Sequence, residues 1–296
     1  MFENIMNLNY DLKTKTYQHS SYEHFKINDP KPRDIHKASV RDRLLHHAIY
    51  RALYPYFDTK FIHNSYSCRK NKGTHKALIA FNKMARKVGK NHTKTVWVLK
   101  CDIKKFFARI DHNILKQILA KHITDDNILW LLEQVIDSFP SILKSDFDIG
   151  GLPLGNLTSQ LLVNIYMNEF DQWVKHKLKA KHYIRYADDF VFLHEDKKIL
   201  EKYLQQVHIF LEEKLKLELH PDKVSITSFA SGVDFLGWVH FTDHRVLRTV
   251  TKRRMMKNIM QKQGKEEVVQ SYLGMLSHGD GYKIKEQIVS FFEKLN

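Results

Sequence analysis

Tyr186-Ala187-Asp188-Asp189 stands between two short apolar runs, residues 183–185 and 190–193, and has the clearest capacity for chemistry in the chain. Adjacent carboxylates repel, and in sequence only Arg185 offers a nearby countercharge. A divalent cation at the tip of a hairpin would offset that repulsion. Metal-assisted phosphoryl transfer needs carboxylates converging from separate elements. Asp102 meets that need at the end of Val96-Trp97-Val98-Leu99-Lys100-Cys101-Asp102, which reads as a buried strand running into an acid. The same pair of acids would also suit a solvated hairpin turn, since Asp favours turns.

Composition narrows the partners. The chain has 296 residues, 43% of them hydrophobic, enough for more than one subdomain, and a net charge of +15, so a polyanion is the first expectation. No run of eighteen apolar residues favours a membrane; the stretch 161–167 is interrupted by Asn164. Met1-Phe2-Glu3-Asn4 has no basic region followed by an apolar one, so no secretion signal is expected. Cys68 and Cys101 are far apart and fit a reducing cytoplasm, the expected location. His46-His47 lacks a third nearby ligand and reads as packing and solvent, not metal.

The elements that must position the acids follow from periodicity. The first thirty residues are polar and mixed, ending in Asp29-Pro30-Lys31-Pro32-Arg33, a stiff basic turn. A helix is expected from Ser39, with Leu44, Leu45, Ala48, Ile49, Ala52 and Leu53 on one face and Pro55 as its end. Residues 65–75 read as a basic loop with Tyr and Gly punctuation, suited to a sugar–phosphate chain or to plain solvation, leading into another helix. Asp111 reads as the N-cap of a helix bearing Ile114, Leu115, Ile118 and Leu119. Residues 149–156 form a Gly-rich loop whose amides could approach a phosphate or base pair. Thr158-Ser159-Gln160 then opens a long helix with Leu161, Leu162, Ile165, Tyr166, Phe170, Trp173 and Val174 on one face. A helix through Leu200, Val207 and Leu211 precedes β-type runs at 217–219, 224–229 and 235–241. The order strand, helix, loop, helix, hairpin, helix, strand indicates an α+β palm with an antiparallel sheet.

These motifs together resemble a reverse transcriptase, from about Pro30 to the C-terminus. Lys100-Cys101-Asp102-Ile103-Lys104-Lys105-Phe106-Phe107 resembles the first catalytic motif, and Tyr186-Ala187-Asp188-Asp189 is similar to the Tyr-x-Asp-Asp box. Phe235-Leu236-Gly237-Trp238 resembles the primer grip, and Ser271-Tyr272-Leu273-Gly274-Met275-Leu276 the thumb of the bacterial group II intron type. The resemblance implies the α+β right-hand polymerase fold. Residues 1–94 would be the N-terminal segment and fingers, 95–242 the palm (112–150 partly fingers) and 243–296 a short helical thumb.

Within the family, the segments 29–33, 41–47, 65–69 and 151–160 resemble enzymes of diversity-generating retroelements. Intron-type enzymes tend to carry Gln at the position of Leu154 and Pro at that of Gln160. No maturase or endonuclease extension follows the thumb motif, and the chain is somewhat short for the group, so a partner is expected to complete the particle. The subfamily implies copying of an RNA template with errors opposite adenine, assisted by a small basic oligomeric accessory protein. Defence-associated reverse transcriptases share much of the pattern. A catalytically silent nucleic-acid-binding scaffold is the alternative of another class; the intact acids oppose it.

The resemblance also implies roles. Two Mg²⁺ ions would be held by Asp102, Asp188 and Asp189, with Ile103 adjoining, to activate a primer hydroxyl and stabilise pyrophosphate. Lys31 and Arg33 match residues that clasp the incoming deoxynucleotide triphosphate, and Arg69 would support that clasp or the template backbone. Phe107 matches the steric gate against a 2′-hydroxyl, or is a core aromatic. Leu154 and Gly155 would border the nascent base pair. Lys223 is similar to a lysine proposed to protonate pyrophosphate, or is a surface lysine. RNA template and DNA or RNA primer would meet Asn156, Ser159, Gln160, Tyr186, Phe235, Leu236 and Gly237, with Lys252, Arg253 and Arg254 on the thumb.

Overall fold

The computed structural model describes residues 2–28, 32–139 and 150–293; Lys31, assigned to the triphosphate clasp, lies outside them. At the N-terminus α1 (Phe2–Lys13) leads into an antiparallel hairpin, β1 (Glu23–Ile27) and β2 (Arg33–Lys37). The mixed polar sequence gave no sign of either. Only Phe25, Ile27 and Ile35 alternate with polar residues such as His24, Lys26, Asp34 and His36, too short a pattern to stand out from its polar surroundings.

Helix α2 (Val40–Lys60) starts where expected, the Ser39 hydroxyl accepting from the Asp42 amide. It does not stop at Pro55. That residue is exposed, so the Arg51 carbonyl deprived of its helical donor can meet water, while Tyr54 and Phe57 are buried and hold the last turns. The inward face is Leu45, His46, Ile49, Leu53 and Phe57; Leu44, Ala48 and Ala52 point outward, so the expected stripe is rotated. His46 is buried and His47 exposed.

Next come α3 (Thr74–Val88), β3 (Trp97–Asp102), α4 (His112–Ala120) and α5 (Asp126–Asp137), with α4 capped by Asp111 as expected. The long helix α6 (Leu157–His176) is buried around most of its circumference, not along one face. The hairpin of β4 (Tyr183–Tyr186) and β5 (Asp189–His194) follows, then α7 (Lys197–Leu215) and β6 (Ser225–Ser228). The run 217–219 is not a strand and contributes only an isolated bridge from Leu219 to Ile103. The run 235–241 is broken by a turn in which Leu236 (φ 51°) and Gly237 (φ 86°) are both left-handed. It divides between β7 (Val233–Phe235) and β8 (Trp238–His240), joined by β9 (Arg245–Leu247) in a second sheet. Three helices complete the described chain: α8 (Thr249–Gln261), α9 (Glu266–Leu276) and α10 (Tyr282–Glu293).

The main sheet has the order β4-β5-β3-β6 and is antiparallel throughout. Period-two alternation divides its side chains between two cores. Leu99, Cys101, Tyr183, Phe190 and Phe192 pack with α6 and α7. Val98, Ile184, Val191 and Leu193 face the other way, onto Ala77, Leu78, Phe81 and Ala85 of α3 and the β7–β9 sheet. The last three helices join that second core through Met255, Ile259, Val269, Leu276 and Ile288. Gly279, between α9 and α10, lies so close under Trp238 that an added Cβ would come within 2.1 Å of the indole.

Candidate active site

Alternation along β3 puts Lys100 and Asp102 on the α3 side of the sheet, and the register sets Asp102 opposite Asp189. The β4–β5 turn is two residues long, Ala187 and Asp188, with Ala187 left-handed (φ 55°). The Ile103 amide donates to the Asp188 carbonyl at 3.3 Å, so the turn is stitched to the end of β3. Carboxyl groups from the end of β3, the β4–β5 turn and the start of β5 thus collect at one end of the sheet.

Their surroundings are poorly solvated. Burial, and then the neighbouring Asp102 carboxylate, pushes the Asp188 carboxyl up to about 6. Burial likewise raises Asp189, although Lys100 opposes the shift. The Lys223 ammonium donates to Asp102 Oδ1 at 2.8 Å, and Lys100 Nζ lies 3.9 Å from Asp189 Oδ1. That Asp189 oxygen is buried and has no hydrogen-bond partner. Among the described residues no group of three His, Cys, Asp or Glu side chains forms a ready-made metal cage. The donor chemistry nevertheless fits a hard divalent ion: carboxylate oxygens, one of them buried and unpartnered, at a site where burial and mutual repulsion leave the acids short of positive charge.

Behind the turn lies a network that the sequence did not reveal. Arg185 is fully buried and donates to both oxygens of Asp171 on α6, at 2.7 Å from Nη2 and 2.9 Å from Nε. It also reaches Asn164 Oδ1 (3.3 Å), Ser65 Oγ (3.1 Å) and the Ala187 carbonyl (3.1 Å). Burial works against its charge, but Asp171 holds the guanidinium protonated. Thr74, at the start of α3, donates to the Tyr186 hydroxyl at 3.1 Å. Lys100 donates to the Asp234 carbonyl at 2.7 Å, linking the acids to β7. Two members had a readable signal: Arg185 as the cation next to the paired acids, and Lys100 as a cation in an apolar strand two residues before Asp102.

Several assignments change. The Arg69 guanidinium is occupied by Asp58 (2.7 Å) and the carbonyls of Ile62 and Ser65, so it anchors its own loop and cannot also clasp a triphosphate. Asn156 is buried, donating to the His36 carbonyl at 2.7 Å and accepting from the Ala38 amide; it tethers β2 and does not face a template. Ser159 and Phe235 are buried in the core, which removes them as strand contacts. Ile103 buries its side chain, leaving only main-chain atoms to serve a ligand. Tyr66 of the basic loop is likewise buried.

Other assigned residues remain accessible in part. Phe107 is half-buried in the turn after β3, its carbonyl accepting from the Leu152 amide. Leu154 is half-buried, and its carbonyl accepts from the His36 amide. Gly155 (φ 110°) sits against Ile35, where a Cβ would come within 2.9 Å of the side chain. The Gly-rich loop therefore meets β2, the strand of the hairpin that begins with Arg33. Gln160, Tyr186, Leu236, Lys252 and Arg254 are half-buried, and Arg253 is exposed.

An antiparallel palm with paired acids and a following helical unit defines a template-directed polymerase architecture. Residues 26–240 match the model of the reverse transcriptase (RNA-dependent DNA polymerase) family, and the chain belongs to that family. Protein YkfC of Escherichia coli K12 is 27% identical over 249 residues, covering 71% of this chain and 62% of its own length. The group II intron-encoded protein LtrA of Lactococcus lactis is 23% identical over 295 residues, covering 78% and 47%. The chain thus spans about half to three fifths of these relatives. The fold is similar to apo telomerase from Candida tropicalis truncated from its C-terminal domain (TM-score 0.52, 14% identity, 83% of this chain and 60% of that one). It is also similar to telomerase from Candida albicans in complex with a fragment of telomeric RNA (TM-score 0.55, 13%, 85% and 51%). Family members generally use divalent metal ions. No helix among the described residues is long and apolar enough to cross a membrane.

Proposed function

We propose that this chain is an RNA-directed DNA polymerase that extends a primer on an RNA template with deoxynucleotide triphosphates. The observation that carries the reading is the register setting Asp102 opposite Asp189, with the raised Asp188 carboxyl at the turn beside them. Asp102, Asp188, Asp189 and the main chain at Ile103 would hold Mg²⁺. Bound there, two such ions supply Lewis-acid activation of the primer 3′-hydroxyl and charge stabilisation of the leaving pyrophosphate. Asp188 must release its proton at neutral pH to take part. Lys223 Nζ, now on Asp102, is within a side-chain swing of the same end and would give its proton to the pyrophosphate oxygen. The Phe107 ring walls the sugar site against a 2′-hydroxyl. Arg33 meets the triphosphate, the Leu236–Gly237 turn supports the primer end, and Lys252, Arg253 and Arg254 hold the duplex backbone. Residues 1–94 would be the N-terminal segment and fingers, 95–242 the palm (112–150 partly fingers) and 243–296 the thumb. Primer extension on a heteropolymeric RNA tests this: Asp188→Asn is expected to abolish it, and undiminished extension removes the site assignment.

At finer resolution we infer error-prone copying of the diversity-generating type, in the cytoplasm, with a small basic accessory protein. Support comes from Leu154, beside Gly155 at the junction with β2. Leu offers only non-directional contact where Gln would fix geometry with a donor and an acceptor. Leu154→Gln is expected to lower misincorporation opposite template adenine at a similar extension rate. Sequencing the cDNA made by both proteins on one adenine-rich template checks it; equal error spectra return Leu154 to a loop role.

A further inference from the structure

Helix α3 carries two opposed faces. Ala77, Leu78, Phe81 and Ala85 are buried against the main sheet. Half a turn away, Lys76, Lys83, Arg86 and Lys87 are exposed along one stripe, which Lys90 continues past the C-terminus of the helix. No acid occurs from Thr74 to Val96. Among the described residues Lys83, Arg86, Lys87 and Lys90 have no carboxylate within ion-pair distance; Lys94, by contrast, pairs with Glu195. At 1.5 Å per residue the stripe from Lys76 to Lys87 is about 16 Å long, enough to follow several phosphates of a duplex.

A cleft of about 580 Å³ runs beside this stripe. Asn82, Lys83 and Arg86 form one wall, and His244, Arg245 and His278 the other. His92 lines it too, with its buried Nε2 unpartnered. Of the two acids at the rim, Asp243 is occupied by His244 at 2.8 Å. The stripe and cleft lie apart from the catalytic end. Thr74 anchors the start of α3 at Tyr186, whereas Lys83 to Lys90 lie toward the opposite end of the sheet, where Trp97 pairs with His194 and Ser228. The cleft offers cations and imidazole or amide donors but no exposed aromatic face, which suits a sugar–phosphate backbone and not stacked single-stranded bases.

We propose that the cationic face of α3 and the adjoining cleft form a second nucleic-acid site, which takes the backbone of paired RNA outside the segment being copied. The proposal rests on the RNA-directed reading above only in naming RNA as the polyanion. The test is a Lys83→Gln, Arg86→Gln, Lys87→Gln, Lys90→Gln variant, all at exposed positions. Its binding to a long, structured RNA is measured across a salt series, beside extension of a short primed duplex. Four lost phosphate contacts are expected to flatten the slope of log affinity against log salt by about 3 to 4, and to weaken binding most at low salt. Short-duplex extension is expected to be unchanged. An unaltered slope overturns the proposal. So does an equal loss on the short duplex, which would place these cations in the catalytic cleft, or competition by poly-glutamate as effective as paired RNA. Wild type that extends no primer while the variant loses its RNA slope would remove the polymerase reading and leave this site standing.

Discussion

Asp188 sets chemistry against stability. An ordinary Asp releases its proton near 3.8, whereas this one holds it to about 6 in the folded chain. Between those values the folded state binds more protons than the unfolded one, so stability falls as pH rises through this window and then levels off. Above it, Asp188 is a partly buried anion beside Asp102. Asp188→Asn is therefore expected to stabilise the metal-free protein at pH 8 by about 1–2 kcal/mol after screening, with the gain vanishing near pH 4. Adding Mg²⁺ at pH 8 should raise the wild-type melting point and leave the variant's almost unmoved. Thermal denaturation in chelator and in Mg²⁺ at both pH values checks each part; a destabilised variant at pH 8 contradicts it. Phe107→Ala probes sugar choice. Loss of the wall is expected to admit ribonucleotides by several kcal/mol of relaxed discrimination, against about 1–3 for a lost apolar contact alone. Extension with ribonucleotides only is the measurement, and an unchanged preference assigns Phe107 to packing.

At the scale of elements, the catalytic turn depends on α6 through Arg185. Removing either partner of the buried Arg185–Asp171 pair strands the other charge and is expected to cost about 3–5 kcal/mol. Replacing both, Asp171→Leu with Arg185→Met, should restore part of that stability while leaving the Tyr183 hydroxyl without its acceptor and the Ala187 carbonyl without its donor. The double variant is therefore expected to fold and yet to show reduced kcat with little change in KM for the nucleotide. Full activity in a stable double variant would reduce the pair to a packing role. This network marks the limit of what the sequence discloses. The strand ending in Asp102, the hairpin carrying Asp188 and Asp189, and the Asp111 cap were legible because alternation, local charge and capping are short-range signals. The Arg185–Asp171 pair, the Asn156 tether and the engagement of Arg69 join residues that no short-range pattern connects, so Asn156 and Arg69 looked available for substrate until their partners were seen.

For the whole molecule, the α8–α10 unit meets the β7–β9 sheet at a keyed contact where Gly279 lies under Trp238 of β8. Gly279→Ala has no room without displacing the indole or the helices, a strain of about 1–3 kcal/mol. Because this unit is the candidate thumb, the variant is expected to shorten products more than it slows single-nucleotide addition. Product-length distributions under single-turnover and trapping conditions separate the two; a proportional loss of both would place the defect in the catalytic centre. The net charge of +15 announced a polyanion, but only the fold separates the cations of α8 from those of α3.

The order of strands in the main sheet bears on how the chain is made. β3 is central, yet both of its neighbours, β5 and β6, are synthesised after it. From the moment residues 97–102 leave the ribosome until residues 189–194 and 225–228 follow, the strand bearing the first catalytic acid has neither of its hydrogen-bonding edges covered. Long-range antiparallel closure of this kind is slow and exposes apolar backbone to other nascent chains. Lys100, in the middle of that strand, puts on the waiting segment a charge of the kind that opposes aggregation of an unpaired strand, and in the folded chain the same residue donates to the Asp234 carbonyl of β7.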